Sequence, residues 1–196
     1  MASALSARTP GSAVAYTESG ALPDATRRLL HDYRPAQVLV VGGEAAIEPA
    51  VVSGIRAAVP AATVERVSGA TRTATAAQVA QRFLGPHQAA ATDELTVIVA
   101  NGWSPPDIGV AAAVSARTAG SVVLYTEAGQ LSAEAAEALR DYQPARIVFI
   151  GGTTAITAEV KDQASAIVPA ATTPRYSGST RTHTAATVAR RTLGPR

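Results

Sequence analysis

One segment of this chain is written twice. Thr9 to Gly85 aligns with Thr118 to Gly194 without a gap at a constant shift of 109 (118 − 9), and about half of the aligned positions are identical. GSAVAYTESGAL (residues 11–22) returns as GSVVLYTEAGQL (120–131), DYRPAQVLVVGG (32–43) as DYQPARIVFIGG (141–152), and RVSGATRTATAAQVA (66–80) as RYSGSTRTHTAATVA (175–189). A repeat of this length constrains the fold more than any composition does, because whatever unit one copy builds, the other builds too. The 196 residues leave room for two units of roughly 100 residues each. We divide the chain accordingly into residues 1–88 and 89–196.

The second copy is the more complete and gives the reading of the unit. LTVIVA (95–100), SVVLYT (121–126) and RIVFI (146–150) are continuous apolar runs rich in β-branched residues, as strands buried on both faces require. Between them lie helical patterns. One runs through about Thr118 with Asp107 as its expected cap. A second is capped by Ser132, carries Ala135, Ala138, Leu139 and Tyr142 on one face, and is stopped by Pro144. Two more run from about Ala155 to Val168 and from about Thr180 to Leu193. Strands alternating with helices imply parallel strands joined by right-handed crossovers. The predicted fold class is α/β: two tandem copies of a small three-layer unit with parallel strands and crossover helices. At the shift of 109, Ala2–Arg8 matches Ala111–Arg117, so the counterpart of 95–100 would lie ahead of Met1. The first copy is expected to lack its first strand, and we expect the missing sequence upstream.

Composition removes several function classes. The chain has no Cys, which excludes disulfides and thiolate metal sites. Its 17 basic and 15 acidic residues nearly balance, and the only basic runs are the pairs Arg27-Arg28 and Arg190-Arg191, so no nucleic-acid tail is present. No segment reaches the roughly 18 apolar residues that span a bilayer, and no signal peptide is visible in this chain. His31, His87 and His183 have no histidine at the matched positions, and the HExxH, GxSxG, GxGxxG and P-loop spacings are all absent. What is duplicated is backbone-shaping chemistry (Gly, Pro, Thr) rather than a set of titratable groups. No cofactor, no metal and no catalytic residues are expected.

The repeated motifs resemble the cell wall-binding repeat 2 family. They are a strand running into Val41-Gly42-Gly43 with Ile47, copied as Ile150-Gly151-Gly152 with Ile156, and the segment Arg66, Gly69, Arg72, Thr75-Ala76, copied as Arg175, Gly178, Arg181, Thr184-Ala185. The family's Phe-Pro-Asp segment after the first strand is echoed by Ser104-Pro105-Pro106-Asp107, with the aromatic displaced to Trp103. The resemblance covers nearly the whole chain. It implies a tandem array, often of three repeats, attaching surface proteins non-covalently to anionic wall polymers. Two departures stand out: Thr71 and Thr180 replace the family's Asp before the second arginine, and Thr73 and Thr182 replace its aromatic after it.

Six residues are candidates for ligand contact. Arg72 and Arg181 offer planar paired donors that match carboxylate or phosphate, beside a helix start whose N–H groups also favour anions. Arg66 and Arg175 belong to the same duplicated motif. Glu18 and Glu127, in the repeated Tyr-Thr-Glu, follow a strand and so face the carboxyl edge, where α/β proteins usually bind ligands. Structural alternatives stand beside these: Arg72 and Arg181 bridging a helix start to a carbonyl or carboxylate, the glutamates capping a helix or turn, the Gly-Gly pairs only permitting a tight turn. The expected function is a non-catalytic module that anchors a protein to anionic cell-wall polysaccharide, at the cell wall or outside the cell, with further repeats or a homo-oligomer as partners. Two other classes remain: a structural or oligomerisation module, recognisable by an exposed apolar patch, and a small-molecule-binding α/β enzyme, recognisable by an apolar pocket with convergent carboxylates.

Overall fold

A computed structural model describes residues 2–6, 9–84 and 95–193. The elements are α1 (Ala2–Ser6), α2 (Asp24–Tyr33), β1 (Gln37–Val41), α3 (Pro49–Ala58), β2 (Thr63–Val67), α4 (Arg72–Leu84), β3 (Thr96–Asn101), α5 (Pro105–Arg117), β4 (Ser121–Thr126), α6 (Ala133–Tyr142), β5 (Arg146–Ile150), α7 (Ala158–Ile167), β6 (Arg175–Tyr176) and α8 (Arg181–Leu193). All pairings between these strands are parallel.

The second copy builds a four-stranded sheet in the order β4-β3-β5-β6. Every residue of β4 is buried, as is all of β3 except Asn101, which is why both read as unbroken apolar runs. Val97, Val99, Ile147 and Phe149 face the helices α6 and α7, while Ile98, Ala100, Val148 and Ile150 face α5. This is the expected three-layer arrangement. Two details differ from the sequence reading. Helix α5 starts at Pro105, with Ser104 at the cap position and Asp107 in its first turn. The Ser104 hydroxyl donates to Asp107 Oδ2 at 2.8 Å, and proline at the first turn costs no hydrogen bond. A fourth strand, β6, is also present. The ladder to β5 continues from Ile147 N–H donating to Thr172 O through Gly151 N–H donating to Tyr176 O, but Pro174 has no N–H to return, so only two residues qualify as regular strand.

The first copy is less complete. Its sheet contains β1 and β2 alone, covered on one face by α2 and α3 through Leu22, Leu30, Val40, Val51, Val52, Ile55 and Val59. Residues 12–17, the counterpart of β4, form no strand. The flanks of that segment are nevertheless shaped as in its copy. Gly11 (φ 73°) matches Gly120 (φ 62°), and Thr9 Oγ1 donates to Leu5 O as Thr118 Oγ1 donates to Val114 O, both at 2.9 Å. Thr17 Oγ1 reaches Ala21 O at 3.0 Å, as Thr126 Oγ1 reaches Gln130 O at 2.8 Å. What differs is the neighbour: β4 pairs with β3, whereas no strand among the described residues pairs with 12–17. Tyr16 is therefore 82% exposed, whereas Tyr125 is 4% exposed. Local sequence set the turns, and the missing partner withheld the strand.

Helix α4 belongs to residues 1–88 but packs on the second copy. It lies along β4, the edge strand of the larger sheet, with Ala76 beside Val123 and Tyr125 on one side and Ala80 and Leu84 beside Val122 and Leu124 on the other. An exposed strand edge invites pairing with other chains, and a covering helix removes that hazard. Short α1 also packs on the second copy, against α5, with Ala4 buried.

Candidate functional site

The carboxyl ends of the strands gather most of the duplicated polar residues. At each Gly-Gly turn the first glycine has positive φ, 139° at Gly42 and 113° at Gly151, a region closed to most side chains. At Gly151 a Cβ would also lie 3.0 Å from Asp107 Oδ2. The carbonyls of these turns are held by the first arginine of the motif. Arg66 donates to Gly42 O and, at 2.8 Å, to Ile47 O. Arg175 donates to Gly151 O at 2.9 Å, Gly152 O at 3.3 Å and Thr157 O at 3.2 Å. Half-buried, with its guanidinium 5.9 Å from the Phe149 ring centre, Arg175 is held below the usual arginine pKa by desolvation. Both guanidiniums therefore serve the chain's own backbone. Arg175→Met leaves these carbonyl acceptors without charged donors, and thermal unfolding should show a stability loss of roughly 2 kcal/mol.

The duplicated threonines build the loop that launches the helix. Gly69 N–H donates to Thr75 Oγ1 at 3.0 Å, Thr75 Oγ1 donates to Thr71 O at 2.9 Å, and Ala74 N–H donates to Thr71 Oγ1 at 3.0 Å. Gly178, Thr184, His183 and Thr180 repeat the cap and the loop bond in the second copy. Thr71 and Thr73 also share a hydroxyl–hydroxyl bond of 2.7 Å, as Thr180 and Thr182 do at 2.8 Å. Helix N-caps of this kind satisfy donors that the helix itself cannot.

Arg72 is placed differently from Arg66. Its Nη1 donates to Gly102 O at 2.9 Å, and its guanidinium sits 4.8 Å over the Trp103 ring. The absence of a side chain at Gly102 makes room, since a Cβ there would be 3.3 Å from Arg72 Cδ and 3.2 Å from Tyr125 Cβ. Burial pushes the Tyr125 hydroxyl up to about 12, with the charge of Arg72 acting in the opposite direction. Trp103 itself is 51% exposed. Its orientation is set by Asn101, whose Oδ1 accepts from Trp103 N–H at 2.8 Å while Nδ2 donates to Ala155 O at 2.8 Å.

The six sequence candidates do not converge on one point. Arg72 stands at the end of β3, and Glu127 follows adjacent β4 with its side chain exposed. Arg175 lies in β6, at the far side of the sheet, and exposed Arg181 begins α8 just beyond it. Arg66 lies in β2. Glu18 is exposed but follows no strand, contrary to the reading of its Tyr-Thr-Glu motif, because residues 12–17 have no partner. Sequence reasoning missed Trp103 as a surface-forming residue. Its signal was present in its being the chain's one tryptophan, beside a glycine at a strand end, but the helix that brings Arg72 over it comes from the other copy. Among the described residues no three His, Asp or Glu side chains are grouped as a metal ion would need, and no helix is long and apolar enough to cross a membrane.

Residues 66–161 match the family model for cell wall binding domain 2, CWB2. Over those residues the sequence is that of a CWB2 cell wall binding domain. The match starts at Arg66, the arginine that holds the first Gly-Gly turn, and so takes in α4 together with β3, β4 and β5 of the sheet it covers. A curated relative, the N-acetylmuramoyl-L-alanine amidase LytC of Bacillus subtilis, is 30% identical over 128 residues, 65% of this chain and 24% of that protein. The CWB2 chain thus spans about a quarter of its curated relative. Among solved structures, Cwp6 from Clostridium difficile has a TM-score of 0.81 at 22% identity, covering 98% of this chain and 29% of that one. Cwp8 from the same organism has a TM-score of 0.74 at 22% identity, covering 95% and 30%. These two likenesses concern the fold: parallel sheets alternating with helices.

Proposed function

We propose that this CWB2 chain is a non-catalytic anchor that binds an anionic glycopolymer of a bacterial envelope, with Arg72 and Trp103 at the centre of the contact. The observation that carries the proposal is the guanidinium of Arg72 lying 4.8 Å over a half-exposed Trp103 ring at the carboxyl edge of the sheet. Tryptophan presents a flat apolar face with a polar handle, suited to a surface that meets both apolar and wet groups, and a sugar ring is such a partner. The guanidinium offers paired donors to an acidic substituent on that ring. Exposed Arg181 adds a second, weaker contact, and Glu18 and Glu127 accept from sugar hydroxyls. Arg66 and Arg175 shape the loops beside the ligand without touching it.

We keep residues 1–88 and 89–196 as the two sequence repeats, with α4 coupling them. Contacts on both make the second binding event intramolecular and raise avidity, and further repeats or a second copy of the chain extend the same effect. The parent protein's own activity lies outside this module, at the cell wall or outside the cell.

Co-sedimentation with purified wall sacculi, before and after acid extraction of their anionic polymers and across a salt series, tests this reading. Pelleting should disappear on extraction and weaken with salt. The Arg72→Ala and Arg181→Ala double variant should lose about tenfold in apparent affinity, in the range expected for truncating a buried arginine or tryptophan anchor. Pelleting that survives extraction unchanged, or that ignores the double substitution, would overturn it.

A further inference from the structure

At the opposite end of the larger sheet, where α5 and α8 terminate, lies a cavity of about 210 Å³. Its polar lining includes Arg117, Thr118, Arg146, Tyr176, Arg191 and Thr192, and none of the described residues that line it is acidic. Arg146 donates to the Tyr176 hydroxyl, which holds that guanidinium along the sheet face. Among the described residues, none of the ion pairs involves Arg117, Arg146 or Arg191. Three guanidiniums around one cavity repel each other. The carboxyl ends of α5 and α8 offset about half a charge each, so among the described residues an excess of about two positive charges remains.

The duplicate copy shows that this arrangement is not required by the fold. Matched at the shift of 109, Arg146 is Gln37, Tyr176 is Val67 and Thr192 is Phe83. Arg82, the counterpart of Arg191, is paired with Glu65 at 2.8 Å. The second copy thus concentrates positive charge where the first neutralises it. We infer that the Arg117–Arg146–Arg191 cavity is a binding site for a phosphate group. The planar fork of a guanidinium matches phosphate oxygens two at a time, and the residual charge suits a dianion. This inference does not rest on the wall-anchoring proposal, whose Arg72–Trp103 contact lies at the other end of the strands.

Titration calorimetry at low ionic strength, using inorganic phosphate in one arm and a glycerol phosphate oligomer in the other, tests the site on the full chain. Binding of either probe is expected, and Arg146→Gln, which restores the residue of the first copy, should weaken it at least tenfold. Thr192→Phe, which restores Phe83's identity and fills the cavity without changing its charge, should abolish it. Preference for the oligomer marks a polymer-borne phosphate as the source, and preference for the free ion marks a soluble one; either supports the site. The inference is overturned if neither probe binds the parent chain, or if Thr192→Phe, shown to be folded, binds as the parent does. Wall pelleting is measured separately, and its loss or persistence leaves this result untouched.

Discussion

Replacing Met1 by a second copy of residues 93–110 will turn residues 12–17 into a strand and raise the melting temperature by roughly 10 °C. The register is dictated by the repeat: residue 110 then precedes Ala2 as it precedes Ala111. The grafted copy of 96–101 enters the gap between 12–17 and β1, as β3 lies between β4 and β5. Both flanks of 12–17 already carry the turns and side-chain bonds of the finished copy, so little further ordering is needed there. Burying Tyr16 and Val14 and the half-exposed side chains of β1 stabilises by about 1.5–3 kcal/mol for each large side chain. Discounted for ordering the new segment, the gain is on the order of 3 kcal/mol, or a few degrees per kcal/mol in a chain of this size. Hydrogen exchange would report it directly, as slowed amides at 12–17 and along β1. Fast exchange at 12–17 with an unchanged melting temperature would mean that the gap between that segment and β1 is not a strand position.

The Gly69→Ala substitution is expected to cost about 3 kcal/mol, at the upper end for forcing atoms into a packed site, and to do its damage in the other copy. A Cβ at Gly69 would lie 2.4 Å from Ala74 Cβ and 2.6 Å from the Ala74 carbonyl carbon. The loop must move, the Thr75 bond to Gly69 breaks, and α4 loses its footing. Because α4 lies along β4, amide protection at 121–126 should fall with it. Gly178→Ala provides the comparison, since its Cβ would meet His183 at the same 2.4 Å, yet α8 packs mainly on α5 and β6. Equal loss of β4 protection in both variants would contradict the assignment of α4 as the cover of that edge.

Much of the architecture was legible from the letters. The three apolar runs of the second copy became β3, β4 and β5, and Pro144 follows the end of α6, where Gln143 turns left-handed at φ 42°. The family resemblance rested on motifs whose residues do hold the turns. The short strand β6 was missed because TTPRY carries no apolar run and Pro174 interrupts its ladder. Residues 12–17 misled in the other direction: they read as a strand because their copy is one, and sequence has no means of registering an absent neighbour. The candidate site was legible only in part. Arg72 was singled out, but Trp103 beneath it was not, since the two are far apart in the chain and belong to different repeats. A bond to a carbonyl was named as the alternative for Arg72, which does donate to Gly102 O, whereas the carbonyl-holding role of Arg66 and Arg175 was not foreseen.

The position of α4 has a bearing on how a gene for such a protein can be cut and rejoined. The unit that repeats in sequence and the unit that shelters its own edge are out of phase. A fragment that begins at residue 89 keeps all four strands of the larger sheet and leaves β4 bare along its open side. Recombination that respected the sequence period would therefore trade away solubility at each junction, while a cut between β2 and α4 would carry the sheltering helix with the sheet it serves. Selection acting on shuffled arrays would favour the second kind of break, and the heritable module would be the one that begins with a threonine-capped helix rather than with a strand.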